Sequence, residues 1–143
     1  MPRLTFETPA PLFETKALAL ATFATAKPRL GQAITVQIAE CDSFGIRLDG
    51  DLVAALFFLE LAQSDDEGRR LVEVALAVDP RGAPHMREGL AFARLIFARV
   101  LETGPVALQA MVRAGNPAGH RMARLMGFVA VAEKDGFVTY RKA

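Results

Sequence analysis

The sequence has too few cysteines and too little net charge for several classes of protein. Cys41 is the single cysteine among 143 residues, so an internal disulfide is excluded and a reducing compartment is expected. We interpret Cys41 as a small core residue rather than a catalytic thiol. The formal net charge is only +1, which gives no electrostatic basis for binding nucleic acid or an anionic membrane surface.

A leader segment and a membrane-spanning run are missing as well. No basic-then-apolar stretch opens the sequence, and Glu60 or threonines interrupt the longest apolar runs well short of membrane-spanning length. We therefore expect a cytoplasmic protein. The chain is rich in apolar residues, 52% against 23% charged, which predicts a folded protein. Its length predicts a single domain over residues 1–143.

Hydrophobic periodicity predicts the elements of the first half. A short strand at residues 3–7 precedes an amphipathic helix over 12–26, and residues 33–40 form either a strand or a second short helix. Asp49-Gly50 supplies a tight turn between strand 44–48 and a continuously apolar strand from Leu52. Residues 71–78 predict a third antiparallel strand.

The second half alternates strand and helix. A loop rich in breakers, RGAPH, leads into a long helix over 86–102, and a strand over 106–113 follows it, which predicts a parallel pair of strands. Asn116 is a good N-cap, Pro117 suits a first helical position, and Gly127 can close the short helix between them. A final hairpin turns at residues 134–136. The predicted class is α+β, with a mixed, mostly antiparallel central sheet flanked by helices on both faces.

The segment VRAGNPAGHRMARLMGF and the order of elements resemble the GNAT superfamily of N-acetyltransferases. The strand, the asparagine, the short helix and the Gly-Phe pair keep the family spacing from Asn116 to Gly127-Phe128. The compact form is also similar to small GNAT-type proteins of phages and prophages. The resemblance implies an N-acyltransferase that uses acetyl-CoA as donor and a small-molecule or peptide amine as acceptor, with no nucleic acid or membrane as partner.

In this family the cofactor's pyrophosphate lies on backbone amides at the start of the central helix, where unpaired N–H groups attract an anion. The family pattern is Gln/Arg-x-x-Gly-x-Gly/Ala, and the best frame here is MREGLA over residues 86–91. Met86 replaces the basic or amide residue, Pro84 removes one amide, and Glu88 adds a negative charge. The resemblance implies these cofactor contacts and no metal: Ala77, Val78, Arg87, Gly89, Leu90, Ala91 and Asn116. A capped helix start with a solvated charge cluster is the alternative interpretation.

The resemblance also implies Glu73 as a general base, and His120 is a second catalytic candidate because an imidazole can act as acid or base. Each has a structural alternative: Glu73 as the outward residue of an alternating strand, and His120 as an exposed surface histidine. Glu60, inside an apolar strand, is a second-rank base candidate. Relatives often carry an acidic tyrosine at the position of Ala123, whereas the only tyrosine here, Tyr140, is interpreted as a strand residue with a solvated hydroxyl.

Two other functions stay open at this point. The fold could serve as a non-catalytic structural or interaction protein of a phage-derived particle, because the cofactor loop is degenerate and the tyrosine is missing. It could also be a CoA-binding sensor without chemistry. The corresponding partners would be phage-particle proteins, or a second copy of the chain in a homodimer that forms through the apolar final hairpin.

Overall fold

Residues 3–22 and 42–143, which the computed structural model describes, form one seven-stranded sheet and three α-helices. The strands are β1 Leu4–Glu7, β2 Asp42–Leu48, β3 Asp51–Ser64, β4 Arg70–Val78, β5 Val106–Arg113, β6 Val129–Lys134 and β7 Phe137–Lys142. The helices are α1 Leu12–Thr22, α2 Met86–Leu101 and α3 Pro117–Leu125. The order of strands across the sheet is β1-β2-β3-β4-β5-β7-β6.

The sheet is mixed and mostly antiparallel, as the sequence predicts. β1 with β2, β2 with β3, β5 with β7 and β6 with β7 pair antiparallel, whereas β4 and β5 pair parallel and are joined through α2. Asp49 and Gly50 have φ angles of 50° and 91°, the left-handed backbone that a two-residue turn between twisted strands requires. The predicted α+β class is therefore confirmed.

One sequence-based prediction changes, and three others fall partly or wholly outside the described residues. The breaker-rich segment Pro80–His85 is a 3₁₀ helix that runs straight into α2, not the irregular loop that its composition predicts. The predicted helix over 12–26 is described as far as Thr22. The ambiguous segment 33–40 and Cys41 lie outside the described residues.

The chain divides into two compact units, and each has its own core. The first unit is Met1–Leu59 with Ala75–Ala91, and the second is Glu60–Val74 with Phe92–Ala143. A single domain over the whole chain stays a prediction. In the first unit, small and large apolar residues of α1, β3 and β4 pack together; the buried members are Ala10, Leu18, Leu52, Ala55, Phe57 and Ala77.

A guanidinium group fastens α1 to the strands of the first unit. Arg47 on β2 donates from Nε to Glu7 on β1 over 2.8 Å, and from Nη1 and Nη2 to the two carboxylate oxygens of Glu14 on α1 over 2.7 and 2.8 Å. The hydrogen bonds from Arg47 lower the pKa of Glu14 below its ordinary value. This bidentate geometry holds the first turn of α1 in one orientation on β2.

The second unit buries β5 and β7 under α2 and α3. Leu108 is fully buried, and the rings of Phe97 and Phe128 meet edge to face with centroids 5.7 Å apart. Two cations close the end of α3: Arg94 donates to the carbonyl of Leu125 over 2.9 Å, and Lys142 donates to that of Met126 over 2.9 Å. Positive charge at a helix carboxyl terminus satisfies unpaired carbonyls and opposes the helix dipole. No helix in the described part of the chain is long and apolar enough to cross a membrane.

Candidate active site

The parallel ladder between β4 and β5 ends on a polar rung. Its register pairs run from Arg70 with Val106 to Glu73 with Gln109, while β4 itself continues to Val78. Gln109 is in turn paired with Arg141 on β7, and Arg141 Nε donates to Gln109 Oε1 over 3.2 Å. Because directly paired residues of neighbouring strands point to the same face of a sheet, one polar row crosses β4, β5 and β7.

The carboxylate of Glu73 is the unpaired member of this row. It is half-buried, and no side chain within residues 3–22 and 42–143 makes a hydrogen bond or an ion pair with it. Glu60, the second-rank base candidate, instead accepts from Arg70 Nη1 over 2.9 Å. Of the two carboxylates, Glu73 is therefore the one free to accept a proton from a ligand. Its role as a general base stays a prediction.

The side chains of His120 and Tyr140 are hydrogen-bonded to each other. His120 Nδ1 lies 2.7 Å from the Tyr140 hydroxyl, and Nε2 lies 3.0 Å from the carbonyl oxygen of Ala114. A carbonyl only accepts, so Nε2 carries the hydrogen, and in the neutral ring Tyr140 donates to Nδ1. Tyr140 is 1% exposed, so the interpretation of its hydroxyl as solvated is wrong, and half-buried His120 is not a free surface histidine. Catalysis by His120, which stays a prediction, would require breaking one of these two bonds.

Asn116 caps α3, which confirms this part of the sequence prediction. Its Oδ1 accepts from the amide of Gly119 over 3.1 Å, its carbonyl accepts from the amide of His120 over 3.2 Å, and Pro117 follows as the first helical residue. Gly127 has φ +87°, the left-handed conformation expected of a helix-closing glycine. A cofactor contact by Asn116 stays a prediction, and the capping bond accounts for the residue without it.

The start of α2, in the first unit, is built from a turn at Asp79. The Asp79 amide donates to the carbonyl of Val53 over 2.7 Å, and the Asp79 carboxylate accepts from the amide of Arg81 over 2.8 Å and from its guanidinium. Gly82 then lies against Val53, where a Cβ atom would come within 3.3 Å of the valine side chain. The glycine of RGAPH therefore serves close packing on β3.

The residues predicted to hold the cofactor divide between the strand end and the helix. Ala77 is buried and Val78 half-buried at the end of β4. Three others, Gly89, Leu90 and Ala91, lie in the second turn of α2, where N–H groups pair with carbonyls four residues earlier.

The amides that a helix leaves unpaired belong to its first turn, but α2 continues directly from the 3₁₀ helix Pro80–His85, whose carbonyls precede the amides of Arg87 and Glu88. Gly89 is buried beside Met86 and Ile46, at a small apolar cavity of the first unit. The exposed side chain of Arg87 places one cation at this helix start. Cofactor binding by these residues stays a prediction.

The ion pair at this turn can be tested by titration. The hydrogen bonds from Arg81 lower the pKa of Asp79 below its ordinary value, so Arg81→Gln should raise the Asp79 pKa toward that ordinary value. A carboxyl whose pKa is lowered in the folded state adds stability above its unfolded pKa and loses it as pH falls through the folded value. The stability difference between wild type and variant should therefore shrink in acid. Carbon-13 NMR of the aspartate carboxyls measures the pKa, and Arg121→Gln, an exposed arginine of α3, is the control. Unchanged titration of Asp79 in Arg81→Gln would contradict the assignment.

Sequence reasoning missed Gln109 and Arg141. Both alternate correctly with buried neighbours on their strands, but only the register between β5 and β7 places them beside each other and beside Glu73. Counting back from the Asp135-Gly136 turn aligns β7 with β6 and leaves its register on β5 open. In the part of the chain that the structure describes, His, Cys, Asp and Glu side chains form no group of three suited to a metal.

Solved structures of acetyltransferases share this fold. A candidate acetyltransferase of the GNAT family from Desulfovibrio desulfuricans superposes with a TM-score of 0.72 and 15% identity, over 99% of this chain and 98% of that one. The ribosomal-protein-S18-alanine N-acetyltransferase of Escherichia coli gives 0.69 and 17%, over 99% and 92%. A candidate acetyltransferase from Salmonella typhimurium, solved with its cofactor acetyl-CoA, gives 0.63 and 17%, over 99% and 92%.

Comparison with protein-family models and with curated protein sequences finds no match. The chain has the GNAT fold, and identities of this size show the fold alone. The finer likeness to phage-type proteins stays a prediction.

Proposed function

We propose that the chain is an N-acyltransferase that transfers an acetyl group from acetyl-CoA to an amine. The observation that carries the proposal is the half-buried carboxylate of Glu73 on the last pair of the β4–β5 ladder, which has no side-chain partner among the described residues. A charge in such a place costs free energy unless a ligand compensates for it, so it is typical of a functional site. The shared fold supports the donor, because a neighbour of the same fold binds acetyl-CoA.

The residues present fit a CoA donor at the start of α2. The exposed guanidinium of Arg87 can pair with a pyrophosphate, whereas the Glu88 carboxylate and Pro84, which has no N–H, weaken the site. We therefore expect binding in the upper part of the usual KM range, about 0.1 to 1 mM. The donor supplies an acetyl thioester, and the chain supplies the base and the positioning.

The proposed chemistry needs one proton acceptor. The amine nitrogen attacks the thioester carbonyl, its bond to carbon forms, and the bond between carbon and sulfur breaks. Glu73 accepts the proton that the amine loses, directly or through a water molecule, and the departing thiolate takes a proton from solvent. Ala123 cannot donate one, and Tyr140 already donates to His120. Rate acceleration then rests on the base and on positioning of the reactants.

Binding and transfer can be measured separately. Calorimetry with acetyl-CoA and CoA should show binding, and release of free thiol should follow when the protein is mixed with acetyl-CoA and a panel of small amines and peptides. The panel includes peptides with free amino termini, because one neighbour of the same fold acts on the alanine of a ribosomal protein. No heat of binding at millimolar ligand would contradict the proposal.

The second candidate is a CoA-binding sensor without chemistry. It is favoured by Ala123, which is buried where relatives carry the acidic tyrosine, and by the mutual bond between His120 and Tyr140. This candidate predicts binding of CoA in calorimetry and no thiol release with any amine of the panel. Thiol release above the rate of the buffer alone would exclude it.

A further inference from the structure

The polar row that ends the β4–β5 ladder contains a second charge without a counterion. Arg141 donates from Nε to Oε1 of Gln109 over 3.2 Å, and its guanidinium makes no ion pair or further hydrogen bond within residues 3–22 and 42–143. It is half-buried, like Gln109 and Glu73. The bond to Gln109 fixes the plane of the guanidinium and leaves both Nη groups available as a fork for a planar anion.

Glu73 and Arg141 lie two strands apart on the same face of the sheet, with Gln109 between them. Neighbouring strands are about 4.8 Å apart, so the two Cα atoms are separated by about 10 Å. A carboxylate and a guanidinium that face each other across such a gap match a ligand with an amine at one end and a carboxylate at the other. In an α-amino acid the amine nitrogen and the carboxyl carbon are about 2.5 Å apart, which the two flexible side chains can bracket.

We propose that the acceptor is an amine that carries a carboxylate, of the α-amino acid class, and that Arg141 binds this carboxylate while Glu73 accepts the proton of the amine. The assignment rests on the proposed acyltransferase function. Gln109 is a positioning residue, because it acts on the ligand through Arg141. The amide nitrogen of Gln109 remains as a donor in the middle of the row.

The next row of the same face favours an apolar side chain on the acceptor. Met111 follows Gln109 by two residues on β5, is 44% exposed, and accepts a hydrogen bond at Sδ from Thr139 over 3.1 Å. A flexible thioether at this position is a suitable contact for an aliphatic or aromatic group. The acceptors to be tested first are therefore L-leucine, L-methionine and L-phenylalanine.

The test compares each amino acid with its α-carboxamide, which keeps the amine and removes the negative charge. Wild type should prefer the amino acids in kcat/KM, and Arg141→Gln should lower kcat/KM for them about tenfold, the loss of one charged hydrogen-bond pair, while the carboxamides stay within about twofold. Arg141→Lys should recover part of the preference. Arg124→Gln is the matched control, because Arg124 is an exposed arginine of α3, which packs on the opposite face of the sheet.

A binding measurement keeps the outcome independent of turnover. Titration with N-acetyl-L-phenylalanine and with its carboxamide, followed by NMR, should show tighter binding of the acid in wild type and loss of the difference in Arg141→Gln. Equal binding of the two in wild type, or an equal loss of both in the variant, would overturn the acceptor assignment. Absence of CoA binding in calorimetry would instead overturn the acyltransferase, and this titration would still decide whether Arg141 holds a carboxylate.

Discussion

Glu73→Gln is expected to lower kcat about 10²- to 10⁴-fold, the usual contribution of a positioned general base. Glutamine keeps the size and the hydrogen-bonding geometry of the side chain and removes the ability to accept a proton. The carboxylate is half-buried without a partner in the described residues, so its replacement breaks no ion pair and should leave the fold intact. The donor is predicted to bind elsewhere, at the start of α2, so calorimetry should give an unchanged affinity for CoA.

The pH dependence separates a base from a merely structural carboxylate. The acidic limb of the pH profile of kcat/KM reports the essential base, so this limb should be present in wild type and absent in Glu73→Gln. Glu133→Gln on β6, an exposed carboxylate, is the control and should behave as wild type. Turnover by Glu73→Gln at the wild-type rate, with the acidic limb retained, would show that another group takes the proton.

Elements whose causes are local could be predicted from the sequence. The turn at Asp49-Gly50 and the ends of α3 at Asn116 and Gly127 depend on side chains and backbone angles within a few residues, and all three are confirmed. The same holds for β5, predicted over 106–113 and found at Val106–Arg113. The parallel pairing of β4 with β5 followed from their separation by one long helix.

From the sequence, the site could be predicted only as far as a single residue of it can be recognised without its neighbours. The resemblance pointed to Glu73, but its neighbours Gln109 and Arg141 are 36 and 68 positions further along the chain, and their proximity depends on strand register, which the sequence does not state. A shift of one residue would have moved them to the other face.

The prediction of a solvated Tyr140 hydroxyl was wrong for a related reason. Its hydroxyl was expected in solvent because one face of an alternating strand usually faces water. In the structure α3 covers that face, and His120 bonds to the hydroxyl. The 3₁₀ helix before α2 was missed because glycine and proline content predicts a break. Pro80 occupies the first position of this helix, which proline tolerates, and the turn bonds at Asp79 begin the helix.

Gly119→Ala is expected to destabilise the protein by about 2 kcal/mol, even though alanine is the better helix former. A Cβ atom at residue 119 would lie 2.7 Å from Asn116 Nδ2 and 2.8 Å from Val112 Cγ1, distances that real Cβ atoms do not show. Moving Asn116 away breaks the cap of α3, which costs about 1 kcal/mol, and the overpacking against Val112 adds about 1 to 3 kcal/mol. The helix propensity gained from alanine offsets about 1 kcal/mol of this sum.

Gly115→Ala is the matched control, because it is the same substitution four residues earlier with no atom within 4 Å of the added Cβ and no positive φ. Its unfolding free energy should stay within about 0.5 kcal/mol of wild type. Urea denaturation followed by circular dichroism measures both variants, and a lower midpoint with an unchanged slope in Gly119→Ala alone is the expected result. Equal midpoints for the two variants would mean that Asn116 and Val112 can move aside without loss of stability. The close packing of α3 on β5 at Gly119 would then be wrong. Because α3 also carries His120, which bonds to Tyr140, the Tyr140 hydroxyl should become exposed at a lower urea concentration in Gly119→Ala than in the control.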